Sequence, residues 1–301
     1  MAIRTVGVVG TGNMGLPMAA SLLRAGFEVL ARDVDGAAAA AAAGAGARVV
    51  DDARALAAGS DMILVVVVDA RQIESALFTE PAPASAGWRP GTPVALCSTI
   101  GPDDATRLAA RIAAAGACPI DAPISGGPAR AASGELSLML AGDDADLARA
   151  EPVLAALGHR RFRISARPGD GARMKLVNNL LAGIQLAAGA EALAIGEAAG
   201  LDPGVMLDVV AASSGQSWVV EDRLRRAFAG DYAPRAHTRI LHKDLALALE
   251  MARGEGFEMA IGAQARQLFD ETLDRGLGGE DDAAVLEAAR ARRRVGDPDA
   301  R

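Results

Sequence analysis

The chain has 301 residues, 51% of them hydrophobic, and a net charge of −7. That size fits one large or two ordinary domains, and the negative balance argues against a nucleic-acid or anionic-membrane partner. Two cysteines, Cys97 and Cys118, predict free thiols in a reducing compartment, and Ile3-Arg4-Thr5 leads straight into VGVVGTG without a secretory pattern, so a cytoplasmic protein is expected.

Thr5–Val9 is a short β-branched apolar run. Gly10-Thr11-Gly12-Asn13-Met14-Gly15 follows, and then a helical stretch from Leu16 to Ala25. Strand, glycine turn and helix give the G-x-G-x-x-G spacing the context that a dinucleotide-binding turn requires. The first glycine makes the turn and the second lets backbone approach a pyrophosphate. The third lets helix pack on strand, with the helix N-terminus facing the phosphates. The next strand, Phe27–Arg32, ends at Asp33, eighteen residues beyond Gly15. That is near the usual offset for an acid that accepts hydrogen bonds from both ribose hydroxyls and repels a 2′-phosphate. Arg32 precedes the acid, and strand alternation turns it to the opposite face of the sheet. The expected cofactor is NAD, with NADP less favoured.

Arg48–Val50 reads as a short strand, Asp52–Ala58 as a short helix and Met62–Val68 as a buried parallel strand. Asp69 stands at its carboxyl end, where doubly wound sheets place ligands. Gln72–Phe78 reads as helix, Thr79–Pro93 as a surface connection, and Val94–Cys97 as a strand ending in Ser98-Thr99-Ile100. Pro102–Ala115 is helical, with Asp103 and Asp104 complementing its dipole. Cys118-Pro119-Ile120 opens a strand that ends in Asp121-Ala122-Pro123-Ile124-Ser125-Gly126-Gly127-Pro128. Glu135–Ala141 reads as the last strand and Asp144–Leu157 as a helix. This alternation predicts an α/β fold: a doubly wound, parallel-sheet Rossmann domain over residues 1–166.

Composition changes near residue 165. The stretch 169–200 holds no proline and much Ala and Leu, and as one helix it would span on the order of 40 Å. It is apolar nearly all round, which marks a helix buried on every side or lying between two bodies. Glu191 and Glu197 argue against a membrane span, since each acid costs roughly 2.5–3.5 kcal/mol at the bilayer centre. Lys175 and Asn179, four apart, share one helix face. Further helices read at 203–212, 217–229, 239–254, 258–274 and 281–293, so an all-α domain is expected over 167–296, joined by the long helix and followed by a tail at 297–301. The arginines of 290–301 read as a fraying helix end and solvated tail. So apolar a helix needs more cover than one small domain gives, which predicts a homodimer or homotetramer. His159, His237 and His242 lack metal-ligand spacing, and no metal is expected.

Four segments line up in order: GTGNMGLPM over 10–18, Asp121 to Gly127, Gly169-x-Gly171-x-x-x-Lys175-x-x-Asn178-Asn179, and Lys243-Asp244-Leu245. In them the chain resembles the β-hydroxyacid dehydrogenases, which include 3-hydroxyisobutyrate dehydrogenase, tartronate semialdehyde reductase and, more distantly, 6-phosphogluconate dehydrogenase. The resemblance runs from Thr5 to Glu280-Asp281-Asp282. It implies an oxidoreductase that passes hydride between NAD and a small β-hydroxy acid or its semialdehyde. It implies Lys175 as the catalytic lysine, and Ser125, Gly126, Gly127 and Asn179 on a carboxylate substrate. Around the cofactor, beside Gly10, Thr11, Gly12, Asn13, Met14, Gly15 and Asp33, it implies Thr99 near the nicotinamide and Lys243 at the closed cofactor site. Val67-Val68 stands where the family often has Leu-Pro, as a backbone contact.

The chemistry suits these roles. Hydride reduction of an aldehyde builds negative charge on oxygen, which a positioned acid must protonate, and the reverse oxidation needs the same group as base. A lysine does both where desolvation or a neighbouring cation, here Arg173 or Lys243, lowers its proton affinity. Ser125-Gly126-Gly127 offers a hydroxyl and two unobstructed N–H groups, a cup for a carboxylate. A finer similarity, in Ser214-Gly215-Gln216-Ser217-Trp218, Glu221-x-Arg223 and Gly230-Asp231-Tyr232-x-Pro234, is to the subgroup that includes L-threonate dehydrogenases. It points to a three- or four-carbon sugar acid whose extra hydroxyls meet Gln216, Ser217 and Arg223, with 3-hydroxyisobutyrate as the alternative. An imine reductase or a non-catalytic dinucleotide-binding module of the same fold would lack the lysine present at 175.

Overall fold

The computed structural model describes residues 2–293; the predicted tail at 297–301 lies outside the described residues. Two compact units divide between Lys175 and Leu176. The first contains β1 (Thr5–Val9), α1 (Gly15–Arg24), β2 (Glu28–Arg32), α2 (Gly36–Gly44), β3 (Arg48–Val49), α3 (Ala53–Gly59), β4 (Met62–Val65) and α4 (Ala70–Glu74). It continues with β5 (Pro93–Leu96), α5 (Pro102–Ala114), β6 (Cys118–Asp121), β7 (Ile124–Ser125), α6 (Gly127–Ser133), β8 (Ser137–Ala141), α7 (Asp144–Leu157) and β9 (Arg160–Ser165).

The sheet order is β3-β2-β1-β4-β5-β6-β8-β7, with β9 paired to β8. From β3 to β6 every pair is parallel. Side chains alternate across a strand, so consecutive residues feed two different cores. Val6, Val8, Val29, Ala31, Met62 and Leu64 join residues of α1, α6 and α7 on one side. Val9, Leu30, Ile63, Val65, Val94 and Leu96 join α3, α4 and α5 on the other. Helices on both faces of one sheet make the doubly wound architecture expected from the alternation.

The far edge differs from an all-parallel reading. β8 runs antiparallel to β6 and β7 and parallel to β9. β9, RRFRIS, alternates only Phe162 and Ile164 with polar residues, too short a pattern to mark a strand. The run 62–68 also leaves the sheet early. Val66–Val68 turn toward the glycine loop, where a Cβ on Gly10 would lie 2.4 Å from the Val66 carbonyl oxygen. The helix expected over 72–78 starts at Ala70 and widens into a π turn at Ser75–Thr79.

α8 (Asp170–Ala198) is continuous, and its first turn belongs to the sheet-bearing unit. The two compact units thus share the helix between them. The second unit holds the rest of α8 with α9 (Pro203–Ala211), α10 (Trp218–Phe228), α11 (Thr238–Gly254), α12 (Ala260–Asp274) and α13 (Val285–Ala291). Phe269 packs in its core with Leu186, Leu193, Leu224, Leu245 and Leu286. Three α8 glycines admit the neighbouring helices. A Cβ on Gly183, Gly189 or Gly196 would lie 2.7 Å from Leu245, 2.7 Å from Val220 or 2.2 Å from Met206 respectively.

Candidate active site

β2, β1, β4 and β5 are parallel neighbours, so the segments following them emerge along one edge. Gly10 has φ +89°, and Gly15 lies so close beneath it that a Cβ there would stand 1.8 Å from the Gly10 carbonyl oxygen. Gly12 is different: nothing lies within 4 Å of where its Cβ would be. Among the described residues no acid occupies the first turn of α1 and no side chain caps it. This open glycine ridge fits the pyrophosphate of a dinucleotide.

Asp33 braces the same loop. Its Oδ2 accepts from Thr11 N at 2.6 Å and Thr11 Oγ1 at 3.3 Å, and its Oδ1 from Asp35 N at 2.9 Å. A carboxylate has about four acceptor positions, so capacity remains for ribose. Arg32 reaches Glu80 at 3.9 Å, as alternation requires. Val67 N donates to Ser98 Oγ at 3.1 Å and Val68 N to Gln72 Oε1 at 2.9 Å. Half-buried Thr99 follows Ser98. Asp69 is a helix cap, accepting from Gln72 N at 2.9 Å.

Past β6, Gly126 and Gly127 adopt φ of +135° and +72°, which L side chains rarely reach. The position a Gly127 Cβ would take is open, whereas one on Gly126 would meet Arg130 at 3.0 Å. Ser125 precedes them, partly accessible at the end of β7. The sequence did not reveal the role of Asp121. Buried at the end of β6, it accepts from Gly169 N at 2.8 Å and Ala172 N at 3.0 Å, pinning the start of α8. Lys175 follows one turn on and is only 7% exposed. Arg173, two residues before Lys175, holds Asp170 at 2.8 Å.

In the second unit Asn179 donates through Nδ2 to Asp244 Oδ2 at 2.6 Å, and Lys243 Nζ donates to Asp244 Oδ1 at 2.7 Å. Asn178 Nδ2 in turn donates to Asn179 Oδ1 at 3.1 Å. Asp244 is 2% exposed, a buried carboxylate satisfied by two site residues from different helices. An acid flanked by a lysine in sequence gives no hint of its bond to residue 179, so sequence reasoning missed it.

Arg223 is a correction. It is buried, with Nη1 2.5 Å from Asp222 Oδ2 and Nε 2.8 Å from Asp282 Oδ1, the latter an ion pair rather than an aligned hydrogen bond. Burial pushes the Asp282 carboxyl up to about 7, against the pull of Arg223. This arginine is spent inside the helical unit and does not serve substrate hydroxyls. Ser217 Oγ is likewise engaged, donating to Gln185 Oε1 at 2.7 Å.

An open glycine ridge at the carboxyl edge of a doubly wound sheet, with a braced acid beside it, is what the pyridine-nucleotide oxidoreductases present to their cofactor. Residues 5–165 match the family model of the NAD binding domain of 6-phosphogluconate dehydrogenase. Residues 169–289 match that of the NAD-binding region of NADP-dependent 3-hydroxyisobutyrate dehydrogenase. The chain belongs to the β-hydroxyacid dehydrogenase family and is an NAD-dependent hydroxyacid oxidoreductase. It is 41% identical to the L-threonate dehydrogenase of Cupriavidus necator over 94% of this chain and 95% of that one. It is 36% identical to the 3-hydroxyisobutyrate dehydrogenase of Pseudomonas aeruginosa over 88% of this chain and 90% of that one. Among solved structures, a 3-hydroxyisobutyrate dehydrogenase from Salmonella typhimurium aligns with TM-score 0.88 and 38% identity, covering 94% of this chain and 99% of that one.

Proposed function

We propose that the chain oxidises a three- or four-carbon sugar acid, with L-threonate its best substrate, using Lys175 as general base, and as general acid in reverse. Lys175 carries the reading: a buried lysine one turn into an anchored helix, with Asn179 one turn further along the same face. NAD, when bound, supplies the hydride acceptor. The glycine ridge, Asp33, Thr99, Lys243 and the backbone of Val67 and Val68 hold it. The substrate carboxylate takes the hydroxyl of Ser125 and the exposed backbone of Gly126 and Gly127. Lys175 removes the proton from the hydroxyl being oxidised, and Asn179, its amide oriented by Asp244, donates to the same oxygen. The similarity to L-threonate dehydrogenases favours a sugar acid over 3-hydroxyisobutyrate.

Comparing kcat/KM for L-threonate, D-glycerate and 3-hydroxyisobutyrate, followed at the nicotinamide absorbance, tests the choice. A clear preference for 3-hydroxyisobutyrate would refute it, because a site that hydrogen-bonds a substrate hydroxyl discriminates strongly against analogues lacking it. A homodimer or homotetramer accompanies this reading. Val177, Leu181 and Ile195 on α8 and Val205 and Val209 on α9 are all at least half exposed, apolar surface that a second copy would cover. α8 is long and apolar enough to cross a membrane. Its Lys175, Asn179 and three close glycine contacts favour the core helix of a soluble cytoplasmic enzyme instead.

A further inference from the structure

We infer that Asp121 is a positioning residue for Lys175: its carboxylate fixes the first turn of α8 against the end of β6, so turnover requires it. The inference rests on the role proposed for Lys175. The first N–H groups of any helix lack partners within it. Here one buried carboxylate takes their place, accepting from Gly169 N and Ala172 N through Oδ2, with Gly171 N contributing to the same group.

Gly171 is required by that contact, and Gly169 by the left-handed turn and the close approach of Thr106 and Pro102. Gly169 has φ +99°, and a Cβ on Gly171 would lie 2.9 Å from the Asp121 carboxyl and 2.8 Å from the Met139 carbonyl oxygen. Gly171 thus leaves room for a side chain of the protein itself, the Asp121 carboxylate. Lys175 lies four residues beyond Gly171, on the same helical face, so any shift of the first turn carries the lysine with it. Asp170 takes no part in this anchor, because its carboxylate is held by Ser165, Arg167 and Arg173.

The anchor also has a pH range. Burial pushes the Asp121 carboxyl up to about 6, Asp170 adding to the rise and the three backbone N–H groups opposing it. Cys97, beyond β5, is pushed up to about 12 by burial and by Asp121, so it stays neutral. Hydrogen bonds to an ionised acceptor are roughly twice as strong as neutral ones, so the anchor weakens as pH falls through about 6. An acid whose folded-state value is raised binds its proton more tightly when folded, so this protonation does not itself unfold the chain. Turnover, not folding, is what falls.

The test measures kcat and KM for NADH-driven reduction of the oxo acid that the enzyme forms from its best hydroxy acid, across the pH range. In that direction Lys175 works protonated, so its own titration does not produce an acid limb, and the Asp121→Asn comparison isolates the part due to Asp121. Wild type should lose kcat below about 6, where Asp121 takes its proton. Asp121→Asn should lower kcat about ten- to a hundredfold, as expected for a displacement near 1 Å, with little change in KM and with the acid limb gone. Gly171→Ala, which keeps the charge but crowds it, should lose kcat similarly and retain the limb. An Asp121→Asn enzyme with wild-type kcat and acid limb would overturn the inference. Should that variant not fold, a folded Gly171→Ala enzyme with unchanged kcat would do so. Full turnover in Lys175→Ala would instead sink the lysine reading, whatever Asp121 does.

Discussion

Gly12→Ala should separate cofactor binding from stability. Apart from its chain neighbours, a methyl at that position meets no atom of the described residues within 4 Å, and the backbone there is not in the left-handed region. Replacing glycine by alanine at a compatible position stabilises by about 0.4–1 kcal/mol through the unfolded chain. The melting temperature should therefore hold or rise by a few degrees. The space the methyl fills is what a pyrophosphate needs to reach the backbone. Losing one charge-assisted hydrogen bond costs about 1.5–3 kcal/mol, which weakens NAD binding on the order of ten- to a hundredfold. Gly15→Ala is the control, because its methyl would stand 1.8 Å from the Gly10 carbonyl oxygen and should destabilise the fold outright. Calorimetric titration with NADH and thermal melts measure the two quantities. NADH affinity in Gly12→Ala within a factor of about two of wild type would refute the placement of the phosphates on this ridge.

Lys175→Ala should reduce kcat by about 10²–10⁴ while leaving NADH affinity nearly unchanged, as removal of a general acid–base group does; steady-state rates and titration decide it. Wild type should favour NAD over NADP, and Asp33→Ser should erode that preference. The same variant should cost about 1–3 kcal/mol of stability by orphaning the buried Thr11 N–H. A tenfold wild-type preference for NADP in kcat/KM would defeat the assignment. Arg223→Met leaves Asp281 and Asp282 buried with weaker compensation and should destabilise by about 3–5 kcal/mol near pH 8. Because burial raises Asp282 to about 7, that group's cost to the fold is largest above 7 and relaxes as pH falls. Denaturant unfolding at two pH values should show a smaller deficit at the lower one. Light scattering should show a dimer or tetramer, and only monomer across micromolar concentrations would count against the exposed α8 and α9 faces as contacts.

The parallel half of the sheet was legible because its central strands alternate between two apolar cores, as in Met62, Ile63, Leu64 and Val65. The glycine turn was legible because its spacing is local. The antiparallel edge was not, since β7 has two residues and β9 is mostly arginine and serine. Among the candidate site residues, Lys175 and Asn179 stood out by type and spacing on one helix. Asp121 and Asp244 did not, because each acts through partners about fifty to sixty-five positions away. Arg223 misled for the opposite reason. Its neighbours in sequence suggested a ligand, while beside Asp222 its second partner, Asp282, arrives from the far end of the helical unit. Polar residues whose role is set by such distant contacts carry no periodic signal.

The turn after β2 leaves a route open for changing coenzyme. Val34 is 85% exposed, and α2, a run of alanines, lends the core only Ala42. Position 34 can therefore vary without any repacking, whereas Asp35 caps α2 through Ala37 N and Asp33 is tied down by its bond to the Thr11 backbone. A descendant that came to use the phosphorylated coenzyme would first gain a cation at 34, neutral for the fold, and give up the acid only later. Drift at this turn is cheap, and the order in which it can proceed is set by one hydrogen bond.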